Sequence, residues 1–387
     1  MIRVGIECEQ LEQNRFGIGH TLAQFFESLT KIPDIEKELK LVLYFKATMP
    51  TDAFLTHPLF EKKVLMQGRG LFNVSFNVFY HILLPLRYWK DTIDVFVFPS
   101  NMLPAFFLGK AIVVLVSDVP WEAFHGTLPF RYRLSYILFC WWAARRATIM
   151  TISEVSKREL QQFYGIPDRR IFVNPWGIDP LFNVLARDEA YIARARKIRE
   201  HVGITGDFFL SVGQAFPRRH VKETMEAFAL IADEYPGMQY LVACTDKYNP
   251  PMLVQLAGDI NKKLGREAIV LSAYLAREDM PYCMNESRAL VYVSSKEAQG
   301  LPPVEALACG TPVIVADTPI SHEIFGDDGF FVSDPSRPAE IAVQMRRLLK
   351  NPAESMRVVR AQTPNLARYG WQAHIERWLA MTRNMSA

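Results

Sequence analysis

The chain has 387 residues, half of them hydrophobic and 22% charged, with a formal net charge of +3. That balance excludes a disordered chain and lacks the basic excess of a nucleic-acid binder, so no nucleic-acid partner is expected. The length exceeds what one hydrophobic core usually serves, and two domains are expected. The cysteines (Cys8, Cys140, Cys244, Cys283, Cys309) are odd in number, scattered through apolar runs and free of metal-clamp spacing, which points to reduced core thiols and a cytoplasmic protein. No charge-free run of membrane-spanning length occurs, and MIRVGIECE reads as a strand rather than a signal peptide.

Ile2 to Glu7 reads as the first strand. Phe16-Gly17-Ile18-Gly19-His20 follows, then a run in which Thr21, Leu22, Phe25, Phe26 and Leu29 recur at helical spacing. A glycine loop between strand and helix is a phosphate cradle or a plain tight turn. Leu41 to Lys46 is a second strand, residues 47–65 carry no assignment, and Asn73 to Leu86 reads as a helix broken near Pro85. Asp94 to Pro99 and Ala111 to Val116 are strands, the latter ending in Ser117-Asp118. Asp118 either caps the next segment or binds a ligand hydroxyl. Arg131 to Arg146 is an amphipathic helix with arginines at both ends and Tyr132, Tyr136, Phe139 and Trp142 spread over it. Such a helix packs in a core or lies at a membrane interface. Ala147 to Ser153 is a strand, with Ser153 capping the helix from Glu154. Val173 to Asp179 runs from a strand into a Pro/Gly turn at the domain boundary, where Trp176 lines a ligand pocket or packs the hinge.

Asp188 to His201 is charged and helical with little face to bury, which suits a linker. Phe208 to Val212 is a strand, and Gly213 to His220 leads into the helix VKETMEAFALIADEY. Arg218 and Arg219, adjacent before a helix start, form a diphosphate site or a solvated basic turn. Gln239 to Cys244 and Ala268 to Leu271 are strands, and Leu253 to Leu264 and Asp279 to Arg288 are helices. The stretch Ser294 to Ala316, SSKEAQGLPPVEALACGTPVIVA, then reads as loop, helix and strand after the buried run ALVYVS. Pro302 and Pro303 suit a first helical turn, and Cys309-Gly310 ends the helix. Glu297 falls at the carboxyl end of a strand, and Glu305 on the first turn or two of the helix. Each can grip a pair of vicinal hydroxyls, or the two can simply favour the helix dipole. A helix over 337–349 and helices over 364–384 around Trp371 and Trp378 complete the chain. Strands alternating with helices predict an α/β fold of parallel sheets.

SSKEAQGLPPVEALACGTPVI resembles the nucleotide-sugar motif of retaining glycosyltransferases of family GT4, in which a Glu, seven residues and a second Glu enclose Gly-Leu-Pro-Pro; here the pair is Glu297 and Glu305. The likeness extends over nearly the whole chain, most closely over 148–183 and 290–334, and includes Val173-Asn174-Pro175-Trp176-Gly177-Ile178-Asp179. It implies the GT-B fold: two Rossmann-like domains with parallel sheets facing across a cleft. The divisions expected are an acceptor-side domain over 1–190, a nucleotide-sugar domain over 200–355 and helices over 356–387 crossing back. It also implies a retaining transfer of a hexose, with a weak lean to mannose as in bacterial polysaccharide mannosyltransferases. The donor would be a nucleoside-diphosphate sugar such as GDP-mannose or a UDP-sugar, and the acceptor a glycan or lipid-linked hydroxyl. No cofactor and no metal are expected. Carried over residue by residue, Arg218, Arg219, Glu297 and Asp118 are the catalytic candidates. Gly17, Gly19, Gln214, Tyr274, Ala298, Gln299, Gly300, Leu301 and Glu305 are the donor-binding candidates. The sequence departs from the family pattern in several places: Ala298-Gln299-Gly300 replaces Gly-Phe-Gly, Ser117 stands where a His is common, Gln214 where Arg or Asn is common, His20 where Arg is frequent, and Arg219 at the place of a Lys. The competing readings are a non-catalytic sugar-nucleotide-binding partner and an epimerase or phosphorylase of the same fold. A dinucleotide oxidoreductase is discounted because the loop Gly17 to Leu22 lacks the third glycine of its fingerprint.

Overall fold

A computed structural model describes residues 1–12, 17–66, 76–125, 130–272 and 275–386. They form two compact units, Met1–Gly177 with Arg368–Ala387, and Ile178–Ala367.

The first unit runs β1 (Ile2–Glu7), α1 (Ile18–Leu29), α2 (Ile35–Glu38), β2 (Leu39–Phe45), β3 (Phe60–Val64), α3 (Phe76–Val78), a π-helical turn (Phe79–Leu83) and α4 (Leu84–Lys90). It continues through β4 (Val95–Phe98), β5 (Ala111–Val114), α5 (Asp118–His125), α6 (Phe130–Arg146), β6 (Thr148–Thr151), α7 (Glu154–Tyr164) and β7 (Ile171–Val173). Its seven strands are all parallel, in the order β3-β2-β1-β4-β5-β6-β7. Short β-branched and aromatic runs such as Val95–Phe98 and Ala111–Val114 are buried throughout, as strands covered on both faces must be. On one face the sheet packs against Phe79, Tyr80 and Leu84 before and in α4, Cys140, Ala143 and Ala144 of α6, and Leu160 of α7.

Two expectations for this unit change. Pro85 does not break its helix. The preceding turn widens to the π form, with the Leu84 N–H reaching the Phe79 carbonyl, and the helix continues to Lys90 with proline in its first turn. That is where a missing N–H and a fixed φ cost least. Within the unassigned residues 47–65, Phe60–Val64 is an edge strand on β2. Its Glu61, Lys62 and Lys63 masked the apolar pattern, as charge on an edge strand does. Ser153 caps α7 by accepting from the Ser156 N–H at 3.0 Å.

The second unit runs α8 (Glu189–Val202), β8 (Asp207–Ala215), α9 (Val221–Ala229), β9 (Met238–Asp246), α10 (Leu253–Leu264), β10 (Ile269–Leu271), α11 (Met280–Glu286), β11 (Ala289–Tyr292) and α12 (Leu301–Ala308). Then come β12 (Val313–Ala316), α13 (Pro319–Phe325), β13 (Phe330–Val332), α14 (Pro338–Lys350) and α15 (Pro352–Gln362). Six parallel strands lie in the order β10-β9-β8-β11-β12-β13. α8 is not a linker. Its Tyr191, Ala195, Ile198 and Val202 recur at helical spacing and are buried, Tyr191 stacking on Tyr282 of α11 at 5.4 Å. The many charges of α8 hid this stripe.

The last helix, α16 (Trp371–Ser386), belongs to the first unit. Phe25 of α1 meets the Trp378 ring at 5.1 Å and the His374 ring at 5.6 Å. The turn after β7 is built for this helix. Trp176 stacks on His374 at 5.1 Å, and Asn174 donates to the His374 carbonyl at 3.2 Å and accepts from Arg377 at 3.0 Å. A Cβ on Gly177 would sit 2.4 Å from the Trp371 indole, so only glycine fits there. His374 Nδ1 lies 2.8 Å from the Pro175 carbonyl, which only accepts, so that nitrogen carries the proton. Burial pushes the His374 pKa down to about 4. Of the two readings for Trp176, packing is the one observed.

Candidate functional site

In the second unit the chain leaves β8 toward β9 and β10 on one side and returns through β11 to β12 and β13 on the other. The carboxyl ends of β8 and β11 therefore flank the point where strand order reverses. Open parallel sheets bind ligands there, because the two flanking loops diverge to opposite faces and leave a crevice. Most of the charged candidates gather at this point.

After β8, Pro217–Arg219 forms one 3-10 turn and His220 adopts a left-handed conformation (φ 49°) before α9. The turn is fastened to the loop after β11. Ser295 N–H donates to the Arg218 carbonyl at 2.8 Å, Arg218 Nε to the Lys296 carbonyl at 3.2 Å, and His220 Nε2 hydrogen-bonds Ser295 Oγ. Both guanidinium groups lie over the Phe216 ring, at 4.8 Å for Arg218 and 5.8 Å for Arg219.

Glu297 and Arg219 form the centre. Glu297 Oε1 accepts from Arg219 Nε at 2.9 Å, Tyr292 OH at 2.9 Å and Ser294 Oγ at 3.0 Å. The two side chains are only 12% and 17% exposed respectively. Arg219 Nη1 also donates to the Gln214 carbonyl at 3.0 Å. Burial works against the Arg219 charge, yet Tyr292 and Glu297 beside it hold the guanidinium above the ordinary arginine range. All three donors converge on one carboxylate oxygen, and no donor among the described residues reaches Oε2. Tyr292 and Ser294 were not singled out in the sequence. A strand tyrosine reads as core, and its position five residues before Glu297 carries no motif.

Gly300, in a left-handed conformation at φ 72°, is the N-cap of α12, and prolines at 302 and 303 occupy its first turn. They remove two N–H donors, so the helix start offers those of Leu301 and Val304. Ala298 and Gln299, between Glu297 and that cap, are buried. Glu305, one turn further on, makes no side-chain hydrogen bond among the described residues. Burial pushes its carboxyl up to about 7, with Arg277 pulling it down and Asp179 pushing it up. Arg277 is itself held by Asp179 through Nη2 at 2.7 Å and Nε at 3.0 Å. The Asp179–Arg277 pair was missed, although Asp179 closes the element that begins at Val173; nothing in the chain tells which arginine it meets 98 residues away.

The remaining candidates fall elsewhere. Gln214 lies in β8, with its carbonyl on Arg219. Tyr274 lies outside the described residues. Gly17, Gly19 and Asp118 belong to the first unit. Gly17, at φ 43°, is the N-cap of α1, whereas Gly19 is a buried position inside that helix and not part of a loop. Asp118 opens α5 after β5, at the helix end its charge favours. A surface groove of about 460 Å³ lies apart from the strand ends, lined by Arg187, Tyr191, Arg199 and Glu286. Its polar groups are spent on each other, since Tyr191 and Arg199 both donate to Glu286.

Residues 194–364 match the family model described as Glycosyl transferases group 1. The O-antigen chain mannosyltransferase RfbU of Salmonella typhimurium is 23% identical over 216 residues, 54% of this chain and 55% of that one. The O-antigen chain mannosyltransferase B of Escherichia coli is 26% identical over 210 residues, 52% and 51% of the two chains. The match thus spans about half the length of these curated relatives. The solved structure of Anabaena Alr3699/HepE in complex with UDP and glucose superposes with a TM-score of 0.71 at 16% identity, over 99% of this chain and 100% of that one. Sucrose-phosphate synthase from Thermosynechococcus elongatus superposes with a TM-score of 0.74 at 15% identity, over 100% and 99%. The fold is GT-B, with two Rossmann-like domains of parallel sheet.

Proposed function

We propose that this chain is a retaining glycosyltransferase that moves a hexose from a nucleoside-diphosphate sugar to a hydroxyl of a glycan or lipid-linked acceptor. The observation that carries the reading is the Arg219–Glu297 pair at the strand-order switch, with one carboxylate oxygen locked and the other left for a ligand. Glu297 Oε2 holds sugar hydroxyls and orients the ring. Glu305, whose side chain makes no hydrogen bond among the described residues, accepts from the ribose diol. Arg218, with Nη2 of Arg219 and the helix-start N–H of Leu301, offsets charge as it grows on the departing diphosphate, which is where a fixed electrostatic environment lowers the barrier most. The anomeric carbon–oxygen bond to the diphosphate breaks and the acceptor oxygen bonds on the same face. The acceptor's proton passes to the departing phosphate oxygen. Glu297 is a poor nucleophile in this scheme, since its charge is already shared among three donors. Asp118 serves the acceptor side. The likeness to O-antigen mannosyltransferases favours mannose as the sugar, and the protein works in the cytoplasm without a metal.

The test is a thermal-shift series with UDP, GDP, ADP and their hexose conjugates. A ligand at about 100 times its Kd stabilises the folded form by about 2.7 kcal/mol, so the base that binds is identified directly. The shift disappears in Glu305→Ala, and a labelled donor is hydrolysed slowly by the wild type. If no nucleotide raises the melting temperature, the reading fails. If one binds but neither hydrolysis nor transfer follows, the chain is a sugar-nucleotide-binding partner and not an enzyme.

A further inference from the structure

The helical face of the first unit carries an apolar surface that its own fold leaves uncovered. On α6, Phe130, Leu134, Leu138 and Trp141 recur at helical spacing and are all exposed, Phe130 at 77%. They form a stripe distinct from the buried one, which is Cys140, Ala143 and Ala144. On α4 and the turn before it, Ile82, Leu86 and Trp89 form a second exposed stripe, Trp89 at 70%. Phe106 and Leu108 project from the loop between β4 and β5, Phe106 at 71%.

These elements are neighbours on one side of the sheet. His81 stacks on Phe139 of α6 at 4.7 Å, Trp142 donates to the Pro104 carbonyl at 3.3 Å, and Tyr88 of α4 meets Phe107 at 5.1 Å. Large contiguous apolar surfaces are rare on monomers and mark contact sites. The segments that carry the two stripes, α6 with its four arginines and Phe76 to Lys90, have no acidic residue of their own. Exposed Arg145, Arg146, Lys90 and Lys110 lie at the margins. The Arg145 guanidinium sits 5.1 Å from the Trp141 ring.

We propose that this face docks the protein on an anionic lipid bilayer, with the two stripes and the loop tip in the acyl boundary and the cations at phosphate level. Cations rimming apolar and indole side chains suit a bilayer interface, where hydrocarbon lies below a layer of negative headgroups. Among the described residues no helix is long and apolar enough to cross a membrane, so the contact is peripheral. The proposal does not rest on the donor reading, which concerns the other unit.

Co-sedimentation of the full chain with vesicles of equal phosphatidylglycerol and phosphatidylcholine tests it, against vesicles of phosphatidylcholine alone. Binding to the anionic vesicles is expected to exceed the neutral arm at least tenfold and to fall steeply in 0.5 M salt. Leu134→Ser with Leu138→Ser, and separately Arg145→Glu with Arg146→Glu, each lower it at least tenfold with an unchanged circular-dichroism melt. Nitroxide lipids quench the wild-type tryptophan emission, a readout that needs no variant. No binding to anionic vesicles, equal binding by the folded variants, or absence of quenching overturns the proposal. So does a concentration-dependent dimer that the leucine variants abolish while vesicle binding stays absent, since a second copy would then cover the face.

Discussion

The Arg219–Glu297 pair provides the sharpest test of the second unit. Glu297→Gln keeps the side-chain volume and removes the charge. Three donors lose their anionic acceptor, and a guanidinium only 17% exposed loses its counter-ion. Breaking a buried pair from one side costs about 3–5 kcal/mol, and the residual exposure here places the loss nearer 2–3 kcal/mol. In a unit of this size that is a fall of about 5–10 °C in melting temperature. Arg219→Met should cost a similar amount by stranding the carboxylate. The double variant should be less damaging than the sum, with a coupling of about 1.5 kcal/mol or more. The assay is calorimetry, because all seven tryptophans lie in the first unit and their fluorescence reports on that unit alone. Losses below about 0.5 kcal/mol for both single variants, simply additive in the double, would refute the reasoning: the pair would then behave as a solvated surface bridge. If the pair also organises the sugar site, glycosyl transfer by Glu297→Gln falls by about 100-fold at temperatures where the protein is still folded.

Glu305 titrates near 7 under burial, with Arg277 and Asp179 facing it. A ribose diol donates best to the ionised form, so nucleotide affinity measured by calorimetric titration should rise as pH increases through 7 and be flat in Glu305→Gln. Glu7 is buried at the end of β1 with Oε2 unpartnered, and burial, the N–H of Glu9 pulling the other way, and the charges of Glu9 and Glu12 bring its pKa to about 8. A carboxyl raised in the folded state keeps its full stability contribution below the unfolded value of 4.5 and loses it as pH climbs to about 8. The loss is about 1.4 kcal/mol per unit, on the order of 4–5 kcal/mol in all. Glu7→Gln should therefore outlast the wild type in urea at pH 8, read by tryptophan fluorescence, and equal it near pH 4. His374 has the opposite sign. Its depressed pKa of about 4 means stability is complete above 6.5 and falls by about 3 kcal/mol as pH drops to 4. His374→Gln should remove that part of the acid sensitivity of the first unit.

Local pattern made much of this protein legible before any contact was known. The period of apolar residues separates strands such as Ile2–Glu7 from helices such as Ile18–Leu29, and the prolines and glycine around Leu301–Ala308 mark both ends of α12. These are rules acting within a few residues, so they survive in the sequence. Where polar residues interrupt the pattern the reading failed, as in the edge strand Phe60–Val64 and the buried stripe of α8. The strand order, and hence the switch point between β8 and β11, came from tertiary pairing. So did the partners of each ion. Arg219 meets Glu297 78 residues away and Arg277 meets Asp179 98 residues away, choices made by how strand ends are brought together. The apolar faces of α6 show the same division. Its sequence carries two, and only packing against the sheet decided that Cys140, Ala143 and Ala144 turn inward while Leu134, Leu138 and Trp141 face out. Periodicity identifies a helix with a face to bury; which face is buried depends on the surface that a distant part of the chain presents.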